Sequence, residues 1–492
     1  MQKKLNKIGV LLFGLIVASS LFGQRDLTLY SMSNISQSLT VNPAFRPKAN
    51  VFVSLPLGMQ SFSITNSGFA AADLFSSDQK SFTTDEQFFK GMRSINYLQV
   101  EAKNELLGFG FRVNKNYFTF NISNKYSSEF DYTPDFLKLF FQGNGGSLAG
   151  KRASFDGLGL YITDYVEYAL GYNREVNDKL VVGGKIKLLS GITNLTTTKS
   201  TLGLTTGVNG TSIGFDGSAF VNSSNLGVIL DTNNNTQFPI ESGFNFANLG
   251  LGLDLGATYN LDEKIKLSAS IIDIGFISWK NDVRNYRLKQ FGYTFNGIDA
   301  SPVLTDTTSN VFDQINDTLN NMFKTEESKN AYTTSLATRF YIGGNYHFNK
   351  YFNAGVLWYS QFVRNQYRPG LVLSATANVK SWLSASVNYG MYANSFTNIG
   401  FGLSLRGGPI QLFVITDNIL APFNLGGTRT ASVSVGLNLV FGKEADKKSS
   451  LSVEKTKATN NAQNPNVDSQ KSESVPSAPA TPLTPAPSEP AK

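Results

Sequence analysis

A single histidine, His347, limits the chemistry open to this 492-residue chain, because every Ser-His or His-metal mechanism would have to use it. It stands in Asn345-Tyr346-His347-Phe348 without a nucleophile and an orienting group at a recognisable spacing. It reads as a polar residue at a membrane interface. Cysteine is absent, which removes thiolate metal sites, disulfides and a lipidated cysteine at an export cleavage point. No phosphate-binding loop or zinc motif occurs. An isolated acid such as Asp254, set among glycines and leucines, suits a wall-lining or hydrogen-bonded group better than a catalytic pair. The residues therefore predict no enzyme and no catalytic, metal or cofactor site.

The elements that would position any site repeat with period two, which sends successive side chains to opposite faces of a sheet. Leu383, Ala385, Val387, Tyr389 and Met391 alternate with Ser384, Ser386, Asn388 and Gly390. Leu249, Leu251, Leu253 and Leu255 alternate with Gly250, Gly252, Asp254 and Gly256. The pattern recurs from Leu107 to Ile122 and again from Phe352 to Leu405. A soluble sandwich also alternates. Strands of about ten residues, aromatic residues at strand ends (Tyr351, Tyr359, Trp382, Tyr392) and an export signal favour a transmembrane barrel with its apolar row on lipid.

Hydrocarbon penalises unpaired backbone, so the sheet must close. The expected fold is an all-β closed antiparallel transmembrane barrel over 51–442, with about 14 strands and a range of about 12–16. Short links at Phe348-Asn349-Lys350 and Leu261-Asp262-Glu263 suit the periplasmic side, and Tyr126–Asp156, Thr193–Asn248 and Asp299–Tyr332 suit outer loops.

Both ends differ from the middle. Lys3, Lys4 and Lys7 precede an apolar run from Ile8 to Phe22, which predicts a cleaved signal peptide over 1–23, with scission after Ser20 or Gly23. From Lys443 to Lys492 the chain is rich in Pro, Ala and Ser. That segment is expected to be a disordered periplasmic tail, a spacer toward peptidoglycan or a periplasmic partner. Three of the lysines behind the formal charge of +7 lie in the export segment, and the other basic residues are dispersed, so nucleic acid is not implied.

Two inserts have helical texture. Thr133-Pro134-Asp135 caps a run containing Phe136, Phe140 and Phe141 that Gly143 ends. A second stretch, Val311–Lys324, places Phe312, Ile315, Leu319 and Phe323 on one stripe. These seven side chains form a candidate capture surface for a hydrophobic solute, the plainer role being to pack over the barrel mouth.

Ser38–Leu57 reads SLTVNPAFRPKANVFVSLPL, and its Asn42-Pro43-Ala44 resembles the NPA element near the N-terminus of the long-chain fatty acid transporter family (FadL). FFQGN at 140–144, KIKLLSG at 185–191, SIIDIGFISW at 270–279, TDNIL at 416–420 and GLNLVFG at 436–442 resemble a Bacteroidota outer-membrane family related to it. The resemblance spans most of 27–442. It implies passive movement of hydrophobic molecules across the outer membrane of a Gram-negative cell, with outer-membrane lipid around the barrel. It also implies a hatch over 24–50 that includes Asn42, Pro43 and Ala44. Leu437, Leu439 and Phe441 look like a terminal β-signal for the barrel-assembly machinery, here followed by further chain. The other reading is a non-transporting structural subunit of an outer-membrane assembly.

Overall fold

The computed structural model describes residues 26–54, 58–74, 86–209, 212–227, 247–295, 325–364, 366–379, 382–424 and 426–442. The expected signal peptide 1–23, the tail 443–492 and the helix over Val311–Lys324 lie outside them.

Among the described residues one antiparallel sheet contains β1 (Val51–Ser54), β2 (Met59–Asn66), β3 (Asn96–Val113), β4 (Asn116–Tyr132), β5 (Arg152–Ser154), β6 (Gly159–Glu175), β7 (Leu180–Thr206), β8 (Ile213–Ser224), β9 (Leu249–Asn260) and β10 (Ile265–Trp279). It continues through β11 (Val283–Phe295), β12 (Thr325–Ser328), β13 (Tyr332–Ser335), β14 (Thr338–His347), β15 (Phe352–Val363), β16 (Gln366–Val379), β17 (Leu383–Tyr392), β18 (Ser395–Gly407), β19 (Ile410–Thr416) and β20 (Thr430–Phe441). β1 and β2 act as two halves of one strand, each paired with β3 on one side and β20 on the other. The ring then runs β3, β4, β6, β7, β9, β10, β14 and onward to β20, closing a 14-strand barrel without an edge.

Burial decides between barrel and sandwich. In β9, Leu251 is 59% exposed while Asp254 is 1% exposed; in β17, Val387 is 51% exposed while Asn388 is 3% exposed. A soluble sandwich would bury the leucine row. Here the polar row is inside, and the apolar row forms an outer belt far larger than a soluble surface tolerates.

Two expectations are corrected by the register. Tyr359 and Tyr392 are not interfacial anchors: both point inward and are buried, because Trp358 and Met391 occupy the outward row beside them. Tyr126–Tyr132, Thr193–Thr206 and Ile213–Ser224 are strand, not loop. The upper half of β7 leaves β9 and pairs with β8, which pairs with β11, so a sheet continues past the ring. Alternation and β-branched residues continue there, and ladder pairing satisfies the backbone outside lipid as well as within it.

The short turns share one end of the barrel and a common device. Asn177, Asp262 and Asn349 each accept two backbone N–H groups through Oδ1, which fixes the strand entry that follows. At Asp262 those donors hold the carboxyl below its usual range. The other end carries α2 (Glu86–Lys90) and α3 (Pro134–Gln142), while α1 (Leu27–Ser31) lies in the lumen. α3 starts as its residues predict: Thr133 Oγ1 accepts from Phe136 N at 3.2 Å, Pro134 stands in the first turn, and Gly143 at φ +78° ends it.

Candidate functional site: a plugged and ion-strapped lumen

Residues 26–50 fill the turn end of the lumen. α1, a 3-10 turn over Ser36–Thr40 and an extended run to Asn50 bury Leu27, Leu29, Met32, Ile35, Leu39 and Phe45 against inward side chains of the wall. Tyr30 stacks on Tyr341 with centroids 5.3 Å apart, and Tyr341 meets Tyr359 at 5.2 Å. Each buried apolar side chain contributes about 1.5–3 kcal/mol, and ordering each backbone residue costs about 1–2 kcal/mol. That balance is close enough for polar latches to decide it.

The latches are specific. At the start of α1 the Asp417 carboxylate accepts from Thr28 N at 2.8 Å and Leu27 N at 3.4 Å. Gln37 Nε2 donates to Asn438 Oδ1 at 2.7 Å and Glu105 Oε1 at 3.0 Å. Arg46 pairs with Glu175 at 2.7 Å near the turn end.

Asn42, Pro43 and Ala44 sit inside the barrel and are all buried. Asn42 Oδ1 accepts from Ala44 N at 2.9 Å, so the proline is held in a tight turn. Asn42 Nδ2 donates to Ala269 O at 3.2 Å, and Asn173 Nδ2 donates to Pro43 O at 3.1 Å. The wall is cut to fit: a Cβ on Gly183 would collide with the Pro43 carbonyl, and one on Gly256 with Asn42 Oδ1.

Beyond the plug, buried charges cross the bore. Lys187 Nζ lies 2.6 Å from Asp254 Oδ1, 2.6 Å from Asp273 Oδ1 and 3.5 Å from Glu167 Oε2. Lys125 reaches Glu167 at 2.6 Å and Asp273 at 3.3 Å. Arg339 on β14 spans to Glu101 on β3 at 3.0 Å, and Arg368 on β16 grips Glu129 on β4 through bonds of 2.6 and 2.9 Å. Arg364 also contacts Glu129. Asp273 reaches this network through a bulge in β10, where Ile272 and Asp273 together oppose Asp254; Asp273 takes φ +62° and its N–H donates to Asp254 Oδ1 at 2.8 Å. A cavity of about 140 Å³ lies among these groups, with Asp26 and Thr40 of the plug in its lining.

At the loop end Phe89, Tyr132 and Leu137 form a buried cluster on which Phe136 and Phe141 pack, whereas Phe140 is 63% exposed. Of the expected capture residues, Phe136, Phe140 and Phe141 therefore share one short helix, with only Phe140 presented outward. Phe312, Ile315, Leu319 and Phe323 lie outside the described residues. Leu437, Leu439 and Phe441 stand on the outward row of β20, the strand that closes the ring. His347 ends β14 opposite Asn353.

The latches and straps were missed in the sequence, apart from Asp254. Alternation was the available signal, since Lys185 and Lys187 alternate with Ile186 and Leu188 and so face inward. Which acids meet them depends on strands distant in the chain.

No curated protein matches the chain. Among solved structures it is similar to the Pseudomonas putida toluene transporter TodX, with 12% identity, 83% of this chain and 94% of that one covered, and a TM-score of 0.38. A Pseudomonas aeruginosa FadL homologue gives 9%, 86%, 96% and 0.37. The translocator domain of the Neisseria meningitidis autotransporter NalP gives 7%, 86%, 100% and 0.33. Likenesses of this size bear on neither ligand nor route. Residues 43–417 fit the family described as "Family of unknown function (DUF5723)", and the chain belongs to that family.

Proposed function

We propose that this barrel sits in the outer membrane of a Gram-negative cell and lets small hydrophobic molecules pass inward by passive diffusion. Residues 1–23 are its cleaved signal peptide, 24–50 its hatch, and 443–492 a periplasmic tail. In this reading the short turns face the periplasm, Phe140 and its neighbours form the capture surface, and the segment carrying Asn42, Pro43 and Ala44 is the gate. The observation that carries it is a closed barrel whose bore is filled by a separate segment held at discrete latches, beneath an aromatic cluster with one ring presented outward. A plug that must yield is the economical explanation of a wide barrel built and then filled. Cells lacking the chain should take up a hydrophobic solute more slowly, with rescue by the wild type and poorer rescue by Phe140→Asp. Equal uptake with and without the chain refutes the reading.

One observation favours a second reading. The straps Arg339–Glu101 and Arg368–Glu129 tie distant strands across the lumen, as suits a closed structural subunit. The tail then binds periplasmic partners or peptidoglycan, and the β20 row serves recognition by the barrel-assembly machinery. Deleting the chain from Glu444 onward should change the partners recovered by pulldown from detergent-solubilised membranes. Unchanged partners count against a tethering role.

A further inference from the structure

We infer that a groove on the lipid-facing wall, near the turn end, binds one anionic phospholipid of the surrounding bilayer, with its phosphate on Arg174 and Lys115 and one acyl chain in the groove. The inference rests on the barrel's seat in a bilayer and not on passage of any solute.

Register builds the groove. Phe111, Phe118, Tyr172, Gly184 and Leu255 stand side by side in one outward row across β3, β4, β6, β7 and β9. Four are bulky and one has no side chain, so the row is notched at β7. Tyr172 and Leu255 flank the notch two strand spacings apart, about 10 Å, which, less their side chains, admits one acyl chain. With Leu170 and Ile186 of the next row they enclose a groove of about 510 Å³, within the roughly 300–1,000 Å³ of ligand sites. Thr119 and the stem of Lys185 back its floor from the lumen side, where Gly171 leaves them room. Phe109, Phe111, Phe118 and Tyr172 pack ring to ring at 5.6, 5.3 and 5.2 Å, and Tyr172 Oη donates to Asn116 Oδ1 at 2.8 Å, which holds that wall upright. Hydrocarbon gives a flat apolar wall no preference for one chain over another, so a preformed slot and a charge at its end are what can retain a lipid.

The charge stands one row beyond the notch. Arg174 opposes Asn116 and Val182 on the same outward row as Tyr172, about 7 Å nearer the turn end. Lys115 lies in the adjoining β3–β4 turn. Both are exposed, and neither makes an ion pair with a described residue. Of the acids in the β3–β4 and β6–β7 turns, Glu175 bonds to Arg46 of the plug, and Asp178 remains. Lys179 leans to the next turn, donating to Leu261 O at 3.4 Å. Lys115 and Arg174 against Asp178 leave one net positive charge, which one phosphodiester matches. The guanidinium fork suits two phosphate oxygens at once. A basic corner continuous with the lipid belt therefore favours an anionic lipid over a neutral one.

The test uses the full chain in a non-ionic detergent, titrated with dioleoyl phosphatidylglycerol or dioleoyl phosphatidylcholine and read by native mass spectrometry. Native barrel should retain one phosphatidylglycerol where phosphatidylcholine is lost. Gly184→Leu fills the notch without pushing the wall, since an added Cβ there meets Asp254 O at 3.4 Å and Leu255 Cδ2 at 3.6 Å, both ordinary contacts. It should weaken retention about tenfold or more by excluding the chain. Arg174→Gln should weaken it about fivefold, one cation's share at a lipid surface, and Arg174→Lys should keep most of it. Gly344→Leu, on an outward glycine of β14 with equally loose neighbours, should change nothing. Heat-modifiable migration shows that each variant is folded. No lipid on native barrel, equal retention of the two lipids, or an equal loss in Gly344→Leu overturns the inference. Paired barrels that Gly184→Leu separates also overturn it, in favour of an interface between copies.

Discussion

Replacing Asp417 by alanine should loosen the plug while leaving the barrel closed. The Asp417 carboxylate caps the first turn of α1, and the 2.8 Å bond from Thr28 N carries most of the interaction, because 3.4 Å to Leu27 N is long for a hydrogen bond. A bond to a charged acceptor is worth about 1.5–3 kcal/mol, and a buried N–H left without a partner costs about 1–3 kcal/mol. Removing the cap should therefore destabilise docking by about 2–4 kcal/mol. At 1.4 kcal/mol per factor of ten, transient opening becomes roughly 30- to 700-fold more frequent. The chain has no cysteine, so a single Ser38→Cys, at a position fully buried in the plug, reports opening by its rate of maleimide labelling. Labelling should accelerate by that factor in Asp417→Ala, with unchanged heat-modifiable migration showing an intact barrel. Equal labelling rates would refute the latch, and faster labelling with a lost barrel would show that Asp417 holds the wall instead.

Lys187→Met should lower barrel stability by about 3–5 kcal/mol in urea titrations, because it takes from Asp254 its ion-pair partner among the described residues and leaves Glu167 and Asp273 with weaker compensation from Lys125; adding Asp254→Asn should recover part of the loss. Gly183→Ala should raise Ser38→Cys labelling through a packing cost of about 1–3 kcal/mol, since its Cβ meets the Pro43 backbone. Docking should also respond to pH through Asp26, whose carboxyl is raised from 3.8 to about 6 by burial. A raised acid stabilises the docked form fully below 3.8 and loses that contribution as pH climbs past about 6, at most about 3 kcal/mol. Divided by the rate for the urea-unfolded chain at the same pH, which removes the thiol's own ionisation, labelling should be slower at pH 5 than at pH 8, and Asp26→Asn should flatten that normalised difference.

Local pattern alone determined the class of this molecule. A period of two, leucines against glycine and asparagine, and about ten residues per strand dictate a sheet with one apolar face, and the need to pair every backbone group in lipid dictates closure. The Thr133 cap, Pro134 and the Asn and Asp turns were legible for the same reason: their partners lie within three residues. Tertiary structure decided the interior. Tyr359 and Tyr392 look like interfacial aromatics until register turns them toward the plug. Gln37 finds Asn438, and Thr28 finds Asp417, across almost the whole chain. Lys187 gathers three acids from β6, β9 and a bulge in β10. A sequence states which way each side chain faces along its own strand; only ring closure states what stands opposite, and in a filled barrel that opposition forms the site.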